Sequence, residues 1–527
     1  MASAGAAALA RGAVARGHGG RVVRVTGGAV RGIASDTPGV TAWLGIPFAA
    51  PPVGPLRWRP PQPVQPWPGI RAADRFSASP VASPQDPHSV YFTRAVTMDE
   101  DCLTLNVWAP ARPSARPRPV MVWIYGGAFV YGASDDALYD GARMAADDVV
   151  FVSINYRVGI LGFFAHPELD SENADGVSGN YGLMDQIAAL RWVRDNIAAF
   201  GGDPHNVTIM GQSAGAFSVG FHLVMPPSRG LFHKGIAQSG APMGRPSSFI
   251  LLGEHAAMRD AGVDFAREVG AGDLAALRAM DAARLVAANS HAWRFYPAID
   301  GVLVPRHPRQ MIATGDHADV PLIVGFNRDE GTVFPALGDG TPAGLAADID
   351  QVYGAEARAA RQIFATATDA EAVTQGKRAF GDIVFDWNST ALAILMARAG
   401  GAHCWFYHFT YDRALPADAH FTEGTAHDLG AFHGSEIGFA LRTQSVRTPA
   451  MTVEQKAVTD LLSGYWLTFA RSADPNRIET PAWPAFAPGR ETVLHIGGPR
   501  PHIGPVPLLA RDALLGRAMG DHIIDDL

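Results

Sequence analysis

Short runs of apolar residues, each bounded by turn residues, recur along the chain between residues 102 and 409. Runs of this length, rich in β-branched and aromatic side chains, are typical of strands that are buried on both faces of a sheet. The pattern predicts strands over the following ranges: Cys102–Trp108, Val120–Tyr125, Val149–Asn155, Val207–Met210, Ile236–Gln238, Leu322–Gly325 and Cys404–Phe409.

Helical periodicity lies between these strands. Apolar residues from Leu183 to Ile197 are spaced by three and four positions, which predicts an amphipathic helix with its apolar stripe on the sheet. A second helix is predicted over Glu454–Ala470. The alternation of strands and helices predicts an α/β fold in which a large, mostly parallel central sheet carries helices on both faces.

The first part of the chain has a different character. Residues 1–20 are rich in Ala, Gly and Arg, and the arginines follow the alanine run instead of preceding it, so we predict a disordered tail and no secretion signal. From Arg21 to Ile46, short β-branched segments separated by glycine turns predict an antiparallel meander. No break in composition follows, and residues 21–527 are predicted to form a single domain.

Composition and charge narrow the classes of function. The chain has 527 residues and a formal net charge of −8, and its basic residues are dispersed, which argues against a nucleic-acid partner or a polybasic membrane surface. No apolar run reaches the ~18 residues of a membrane-spanning helix. The two cysteines lack metal-ligand spacing, and no metal or nucleotide motif is present. A small-molecule substrate and a monomer or small homo-oligomer are expected.

A candidate nucleophile follows one of the predicted strands. Residues 211–215, Gly-Gln-Ser-Ala-Gly, have the form G-x-S-x-G, between the predicted strand Val207–Met210 and a helix predicted from Ala214. In that context the sharp turn presents Ser213 at the top of the sheet, and the glycines allow strand and helix to approach closely. A chance glycine-serine turn is the alternative.

A serine nucleophile also needs hydrogen-bond donors for the oxyanion that forms during acyl transfer. Residues 125–129, Tyr-Gly-Gly-Ala-Phe, stand at the end of the predicted strand Val120–Tyr125. The backbone N–H groups of Gly127, Ala128 and Ala214 are therefore the candidate oxyanion hole. A simple glycine turn at a strand end is the alternative interpretation.

Several further blocks resemble the type-B carboxylesterase and cholinesterase family. These blocks are Gly-Ile-Pro-Phe-Ala-Ala-Pro-Pro-Val-Gly at 45–54, Glu-Asp-Cys-Leu-Thr-Leu-Asn-Val at 100–107, Asn-Tyr-Gly-Leu-Met-Asp-Gln at 180–186, Phe-Gly-Gly-Asp-Pro at 200–204 and Gln-Ser-Gly at 238–240. The resemblance covers nearly everything from Arg21 onward. It implies the α/β-hydrolase fold and a serine carboxylesterase that needs no cofactor.

The resemblance also implies the acid and the base of a catalytic triad. The family's acid is a glutamate in an Asp-Glu-Gly turn, which matches Glu330, and its histidine stands in a His-Gly-x-Glu block, which matches His433. The chain order Ser, Glu, His is the order of α/β-hydrolases. From the residues alone, the alternatives are Asp329 as the acid and His408, His420 or His427 as the base.

The chain departs from the family pattern at several positions. Gln212 stands where the family usually has a glutamate, so one negative charge near the histidine is absent. Ala82-Ser83 stands where the partner of the first cysteine is expected, so Cys102 is predicted to be unpaired, which favours a cytoplasmic protein over a secreted one. The resemblance also implies two structural ion pairs, Arg57–Glu100 and Arg157–Asp185.

The predicted function is hydrolysis of carboxylic esters through an acyl-enzyme on Ser213, with His433 as the general base. The loop at 126–129 resembles oxyanion loops that leave room for a large leaving group, so esters of short to medium acids with bulky or aromatic alcohols are expected substrates. Val333 follows the acid where a choline site would have an aromatic ring, so a cholinesterase is not expected. A lipase-like hydrolase of longer acyl esters and a non-catalytic binding homologue are the alternatives.

Overall fold

The computed structural model describes residues 20–247, 251–289, 291–477 and 480–520. Its strands are, in chain order, β1 (Val22–Val25), β2 (Gly28–Arg31), β3 (Ile33–Ala34), β4 (Val40–Pro47), β5 (Ile70–Ala72), β6 (Thr104–Pro110), β7 (Arg118–Ile124), β8 (Val150–Ile154), β9 (Gly202–Gln212), β10 (Lys234–Gln238), β11 (Gly253–Glu254), β12 (Ala298–Ile299), β13 (Leu322–Asn327), β14 (Cys404–Phe409), β15 (His420–Phe421), β16 (Gly424–Thr425), β17 (Thr492–Ile496) and β18 (His502–Pro505).

The helices alternate with these strands. They are α1 (Ala142–Ala146), α2 (Gly159–Phe163), α3 (Pro167–Glu172), α4 (Tyr181–Asn196), α5 (Ala214–Val224), α6 (His255–Glu268), α7 (Leu274–Ala279), α8 (Ala282–Ala288), α9 (Pro308–Ala313), α10 (Pro342–Tyr353), α11 (Ala357–Ile363), α12 (Asp369–Gly381), α13 (Trp387–Ala399), α14 (Ala426–Leu429), α15 (Ile437–Ala440), α16 (Val453–Ser472) and α17 (Leu509–Ala518). A π-helical turn, Asp382–Asp386, joins α12 to α13, and a 3-10 turn, Glu330–Val333, follows β13.

One large sheet organises the molecule. Its strand order is β18-β17-β14-β13-β10-β9-β7-β8-β6-β4-β3. The pairs from β17 through β8 are parallel, and the pairs at the two edges are antiparallel. This arrangement confirms the predicted large, mostly parallel sheet.

Both faces of the sheet centre are covered. Every residue of Val120–Ile124 and of Val150–Ile154 is buried, although successive side chains of a strand point to opposite faces. Such strands need apolar residues at consecutive positions, which is why they appear in the sequence as unbroken apolar runs. Helix α5 packs on β9 and β10, and α16 packs on β7 and β9.

The N-terminal strands differ in one respect from the predicted meander. Strand β1 pairs with β2, and β3 pairs with β4, and both pairs are antiparallel as predicted. The chain changes sheets at Gly32, however, because β1 and β2 form a small separate sheet with β5, whereas β3 and β4 form one edge of the large sheet. The predicted tail, residues 1–20, lies outside the described residues except for Gly20.

The implied structural ion pairs are present. Arg57 Nε lies 2.6 Å from Glu100 Oε2, and Arg157 Nε lies 2.7 Å from Asp185 Oδ2, with Asp185 fully buried. Both cysteines are buried free thiols, as predicted for Cys102. In the described part of the chain, no helix is long and apolar enough to cross a membrane.

Candidate active site

Ser213 occupies a sharp turn between β9 and α5. Its backbone dihedral angles, φ 58° and ψ −127°, lie in a region that residues with a side chain rarely adopt. The two flanking glycines are needed for steric reasons. A Cβ atom at Gly211 would lie 2.5 Å from the carbonyl carbon of Gly215, and one at Gly215 would lie 2.0 Å from the carbonyl oxygen of Ile124. The turn therefore has the geometry of a nucleophile elbow.

The loop after β7 lies directly against this turn. A Cβ atom at Gly126 would be 3.0 Å from the Cβ of Ser213, so the two backbones are in close contact. Gly127 has φ 111°, and Ala128 has φ 53°. Within the described residues, no backbone acceptor is found for the N–H groups of Gly127 and Ala128, and the N–H of Ala214 is the first of helix α5, where intrahelical partners are lacking.

Two loops at the carboxyl edge of the sheet bring Glu330 and His433 together. Glu330 begins the turn after β13, and His433 stands in the loop between α14 and α15. The N–H of Asp329 donates to the carbonyl of Ala431 at 3.1 Å, which holds the two loops side by side. The Nδ1 of His433 lies 2.5 Å from Oε2 of Glu330, and both side chains are buried.

The carboxylate of Glu330 is itself fixed by a buried polar network. Its Oε1 accepts a hydrogen bond from the N–H of Asn327 at 2.6 Å. The Nδ2 of Asn327 donates to Oε2 of Glu436 at 2.6 Å, and Glu436 Oε1 accepts from Nε2 of Gln238 at 3.0 Å. The indole N–H of Trp466 donates to Oε1 of Gln238 at 3.0 Å. The orientation of Glu330 is therefore coupled to β13, to the start of α15, to β10 and to α16.

Apolar rings enclose the imidazole of His433. Phe385, from the π-helical turn, stacks on it with ring centres 4.0 Å apart, and Phe334 meets it edge-on at 5.2 Å. The hydroxyl of Tyr91 donates to the carbonyl oxygen of His433 at 3.0 Å. Aromatic rings therefore surround the carbon atoms of the imidazole, and its two nitrogen atoms make its polar interactions.

The second nitrogen of His433 faces Gln212. The distance between Gln212 Nε2 and His433 Nε2 is 3.0 Å. Because Nδ1–H donates to Glu330, Nε2 is an acceptor in the neutral ring, and the amide N–H of Gln212 donates to it. Within the described residues, no hydrogen bond joins the hydroxyl of Ser213 to His433. Ser213, Gln212 and His433 nevertheless line the same cavity.

That cavity has a volume of about 300 Å³. Its lining is mainly apolar and rich in aromatic rings, as is typical of sites that bind small organic molecules. The aromatic residues of the lining are Tyr91, Phe92, Tyr131, Tyr139, Trp293, Phe334, Phe380 and Phe385. Besides His433, its ionisable cationic and anionic side chains are Arg94, Asp136 and Arg447.

The alternative acid and histidines lie elsewhere. Asp329 Oδ2 accepts from the N–H of Ala431 at 2.8 Å and pairs with Arg328, so it anchors the loop instead of meeting His433. His420 and His427 are exposed. Nδ1 of His408 lies 3.2 Å from Nδ1 of His495, and burial lowers the pKa of His408 to about 3.

A cluster of buried carboxyl groups lies behind Glu330. It consists of Asp382, Asp386 and Asp512, with the guanidinium of Arg511 beside Asp382 at 3.1 Å. Burial raises the pKa of Asp386 well above its ordinary value, and the neighbouring charges of Asp382 and Glu330 act in the same direction. Burial likewise raises the pKa of Glu436. In the described ranges, no group of three or more His, Cys, Asp or Glu side chains is placed to hold a metal ion.

Sequence reasoning missed several residues of this site. Phe385 lies on a π-helical turn that has no periodic signal, and Tyr91 and Arg447 lie in loops whose approach to His433 depends on the whole fold. The position of Gln212 beside the serine in the motif is a signal that it lies in the site, but its contact with Nε2 of His433 depends on the fold.

The strand order, the turn at Ser213 and the position of the acid after β13 define an α/β-hydrolase. Comparison with known proteins specifies the class further. The profile of the carboxylesterase family matches residues 19–503, and the chain belongs to this family. The protein is a carboxylic ester hydrolase.

Individual relatives and solved structures agree with this assignment. The chain is 36% identical over 487 residues to the fumonisin B1 esterase of Sphingopyxis macrogoltabida, covering 88% of this chain and 85% of the relative. It is 34% identical to the para-nitrobenzyl esterase of Bacillus subtilis (strain 168), with 90% and 94% covered. A solved structure of PNB esterase superposes with a TM-score of 0.81 at 31% identity, covering 94% of this chain and 99% of the other.

Proposed function

We propose that this carboxylesterase hydrolyses its esters through an acyl-enzyme on Ser213, with His433 as the general base and Glu330 as the residue that orients it. The observation that supports this most directly is the 2.5 Å contact between His433 Nδ1 and Glu330 Oε2, beside a serine held on a strained turn in the same cavity. A buried carboxylate on Nδ1 fixes the tautomer that leaves Nε2 free to accept a proton.

The proposed reaction has two halves. In the first, His433 Nε2 takes the proton of Ser213 as its Oγ attacks the ester carbonyl, and the same proton passes to the departing alcohol. The N–H groups of Gly127, Ala128 and Ala214 bind the oxyanion of each tetrahedral intermediate. In the second half, water attacks the acyl-serine, His433 accepts a proton from that water, and the serine leaves with it.

A fluorophosphonate probe tests the nucleophile. We expect one covalent adduct on the peptide that carries Ser213, formed at the rate at which p-nitrophenyl acetate hydrolysis is lost. The His433→Ala variant should label far more slowly, because the serine then has no base. An adduct on another serine, or a folded protein that neither labels nor turns over esters, would contradict the proposal and favour a binding homologue.

The preferred ester class is also part of the proposal. The cavity of about 300 Å³ and its aromatic lining support esters of short to medium acids with bulky or aromatic alcohols. A series of p-nitrophenyl esters from acetate to palmitate measures the acyl preference, and kcat/KM should fall beyond medium chain lengths. Highest activity on palmitate, with activation by an oil–water interface, would instead identify a lipase.

The oxyanion loop gives a second test of the alcohol side. Ala128 and Phe129 both have positive φ, 53° and 59°, which turns the backbone after Gly127. We expect this turn to leave space for a tertiary alcohol, whose extra methyl group crowds the tetrahedral intermediate. The test compares tert-butyl acetate with n-butyl acetate at equal enzyme. Undetectable tert-butyl turnover beside rapid n-butyl turnover would show that other parts of the cavity set the alcohol size.

A further inference from the structure

The cavity that contains Ser213 also holds a cationic side chain that forms no ion pair within the described part of the chain. Of the two arginines in its lining, Arg94 forms an ion pair with Asp135. Arg447 forms no ion pair with any residue that the structure describes. Charged groups that are removed from water are normally paired, because the loss of hydration is costly for an isolated ion. An unpaired guanidinium in an otherwise apolar cavity is therefore a candidate for ligand recognition.

The position of Arg447 is fixed by contacts with the loop that carries His433. Its Nη1 donates to the carbonyl oxygen of Gly434 at 3.0 Å, and its guanidinium carbon lies 5.2 Å from the centre of the Phe432 ring. Burial lowers the pKa of Arg447, although an arginine stays protonated at any physiological pH. The charge is thus held against the loop that carries the proposed general base, and the side chain is half-buried.

The one acidic residue of the cavity lining, within the described chain, does not neutralise this charge. Asp136 Oδ1 accepts from the N–H of Leu138 at 2.8 Å and so caps a short helical turn. It makes no ion pair with Arg447. Burial raises the pKa of Asp136, and the charge of Arg447 opposes that rise, so the two groups interact only at longer range. A substrate carboxylate would supply the partner that the protein does not.

The reaction geometry indicates which part of the ester would carry that carboxylate. In acyl transfer, the histidine that accepts the serine proton returns it to the leaving oxygen, so the alcohol part departs on the histidine side of the site. Arg447 binds the carbonyl of the residue that follows His433, on that same side. The acyl part instead lies toward the serine and the oxyanion loop.

We propose that Arg447 determines substrate specificity by binding a carboxylate on the alcohol part of the ester. The inference rests on the proposed function, since it assigns the alcohol side from the role of His433. A guanidinium can bind a carboxylate through two parallel hydrogen bonds, and such charge-assisted pairs are stronger where the site is partly shielded from water.

A matched pair of acetate esters tests the proposal. The anionic substrate is 4-(acetoxymethyl)benzoate, and the neutral one is 4-methylbenzyl acetate, which has the same ring and the same leaving position. We expect Arg447→Met to lower kcat/KM for the anionic ester by about 10- to 100-fold, mainly through KM, and to change the neutral ester less than about threefold. Arg447→Lys should lose less. Arg413→Met, which removes an exposed arginine, is the control.

The outcomes separate this proposal from a purely structural role. If Arg447 only supports the His433 loop through Gly434, Arg447→Met slows both esters equally, and the proposal is wrong. Loss confined to an ester with its carboxylate on the acyl side, such as monobenzyl succinate, would overturn the alcohol-side assignment. If the wild-type enzyme hydrolyses neither neutral nor anionic esters and Ser213 does not label, the proposed function itself fails.

A measurement on the wild-type enzyme covers the case in which the variants do not fold. The product 4-(hydroxymethyl)benzoate should inhibit hydrolysis of 4-methylbenzyl acetate competitively, at least about tenfold more strongly than 4-methylbenzyl alcohol. High salt should weaken this inhibition, because it depends on an ion pair that is partly accessible to solvent. Equal inhibition by the charged and the neutral alcohol would contradict the proposal without any variant.

Discussion

The two nitrogen atoms of the His433 ring lie in different surroundings. On the Nδ1 side, the ring meets Glu330, whose carboxylate is held by Asn327, which in turn holds Glu436. These groups are buried and joined by short hydrogen bonds to neighbouring strands and loops. A rotation of Glu330 or of the Asn327 amide would break these bonds inside the protein, where lost hydrogen bonds are costly, so the network restricts the ring to one orientation.

On the Nε2 side, the ring faces the cavity and makes fewer polar contacts. Its partner is the amide of Gln212, and Ser213 lies nearby without a hydrogen bond to the ring in the described residues. Arg447 lines the same cavity and forms no ion pair with a described residue. The difference indicates that one side fixes the ring, whereas the other must exchange partners as substrate binds and protons move. The following predictions test this division.

The largest effect is expected on the Nε2 side. Ser213→Ala removes the proposed nucleophile and should lower kcat on p-nitrophenyl acetate by about 10⁴ or more with the fold retained. Far-ultraviolet circular dichroism checks the fold, and Ser171→Ala, an exposed serine of α3, is the matched control. A folded variant with near-normal turnover would end the assignment of Ser213.

Loss of the Glu330 contact on the Nδ1 side should lower kcat nearly as much. Glu330→Gln keeps the shape of the side chain but removes the charge that holds the ring tautomer and stabilises the imidazolium, so kcat should fall by about 10³–10⁴. Asp329→Asn is the control, because Asp329 is the alternative acid one residue away and contacts Arg328 and Ala431. That variant should lose less than about tenfold. A larger loss for Asp329→Asn would transfer the role to Asp329.

How much of this could be predicted from the sequence differs between the two sides. The fold and the elbow lie on strand ends and local motifs, where a few adjacent residues determine the geometry. The pairing of Glu330 with His433 is implied only by the family resemblance, because the residues alone leave Asp329 and three other histidines open. Phe385 contacts the His433 ring from a π-helical turn, and Arg447 contacts the adjacent Gly434 from a later loop. Both contacts follow from packing across the molecule. The change of sheet at Gly32 is likewise not predictable from the sequence, because no residue there distinguishes a single meander from two separate sheets.

A smaller, pH-dependent effect is expected at Gln212. Its amide donates a hydrogen bond to Nε2, whereas the carboxylate of Gln212→Glu would place a negative charge beside the ring and favour the imidazolium in that variant. The acid limb of the profile of kcat/KM against pH should therefore move upward by about one pH unit, and activity at pH 6 should fall relative to pH 8. Gln212→Met, which removes the amide without adding charge, should move the limb less. An unshifted profile in the glutamate variant would show that Gln212 does not act on His433.

The smallest effect concerns Asp386, behind the Nδ1 side. Burial raises the pKa of Asp386 in the folded protein above the value of about 3.9 in the unfolded chain, so the folded state binds the proton more tightly. That stabilisation is present below the unfolded value and is lost as the pH rises through the folded value. Asp386→Asn cannot titrate and should avoid the loss. Its Tm relative to wild type should therefore rise by about 1–3 °C between pH 4.5 and pH 8.

Thermal unfolding at matched pH values measures this difference, and Asp264→Asn, at an exposed carboxylate paired with Arg267, supplies the control. Its Tm difference from wild type should stay constant over the same range. Activity of Asp386→Asn should change less than about threefold, because Glu330 and not Asp386 contacts the ring. A Tm difference that falls with pH would mean that Asp386 is ionised and stabilised in the fold. A large loss of activity with unchanged Tm would instead mean that the carboxyl cluster behind Glu330 also helps to hold the Nδ1 side of His433.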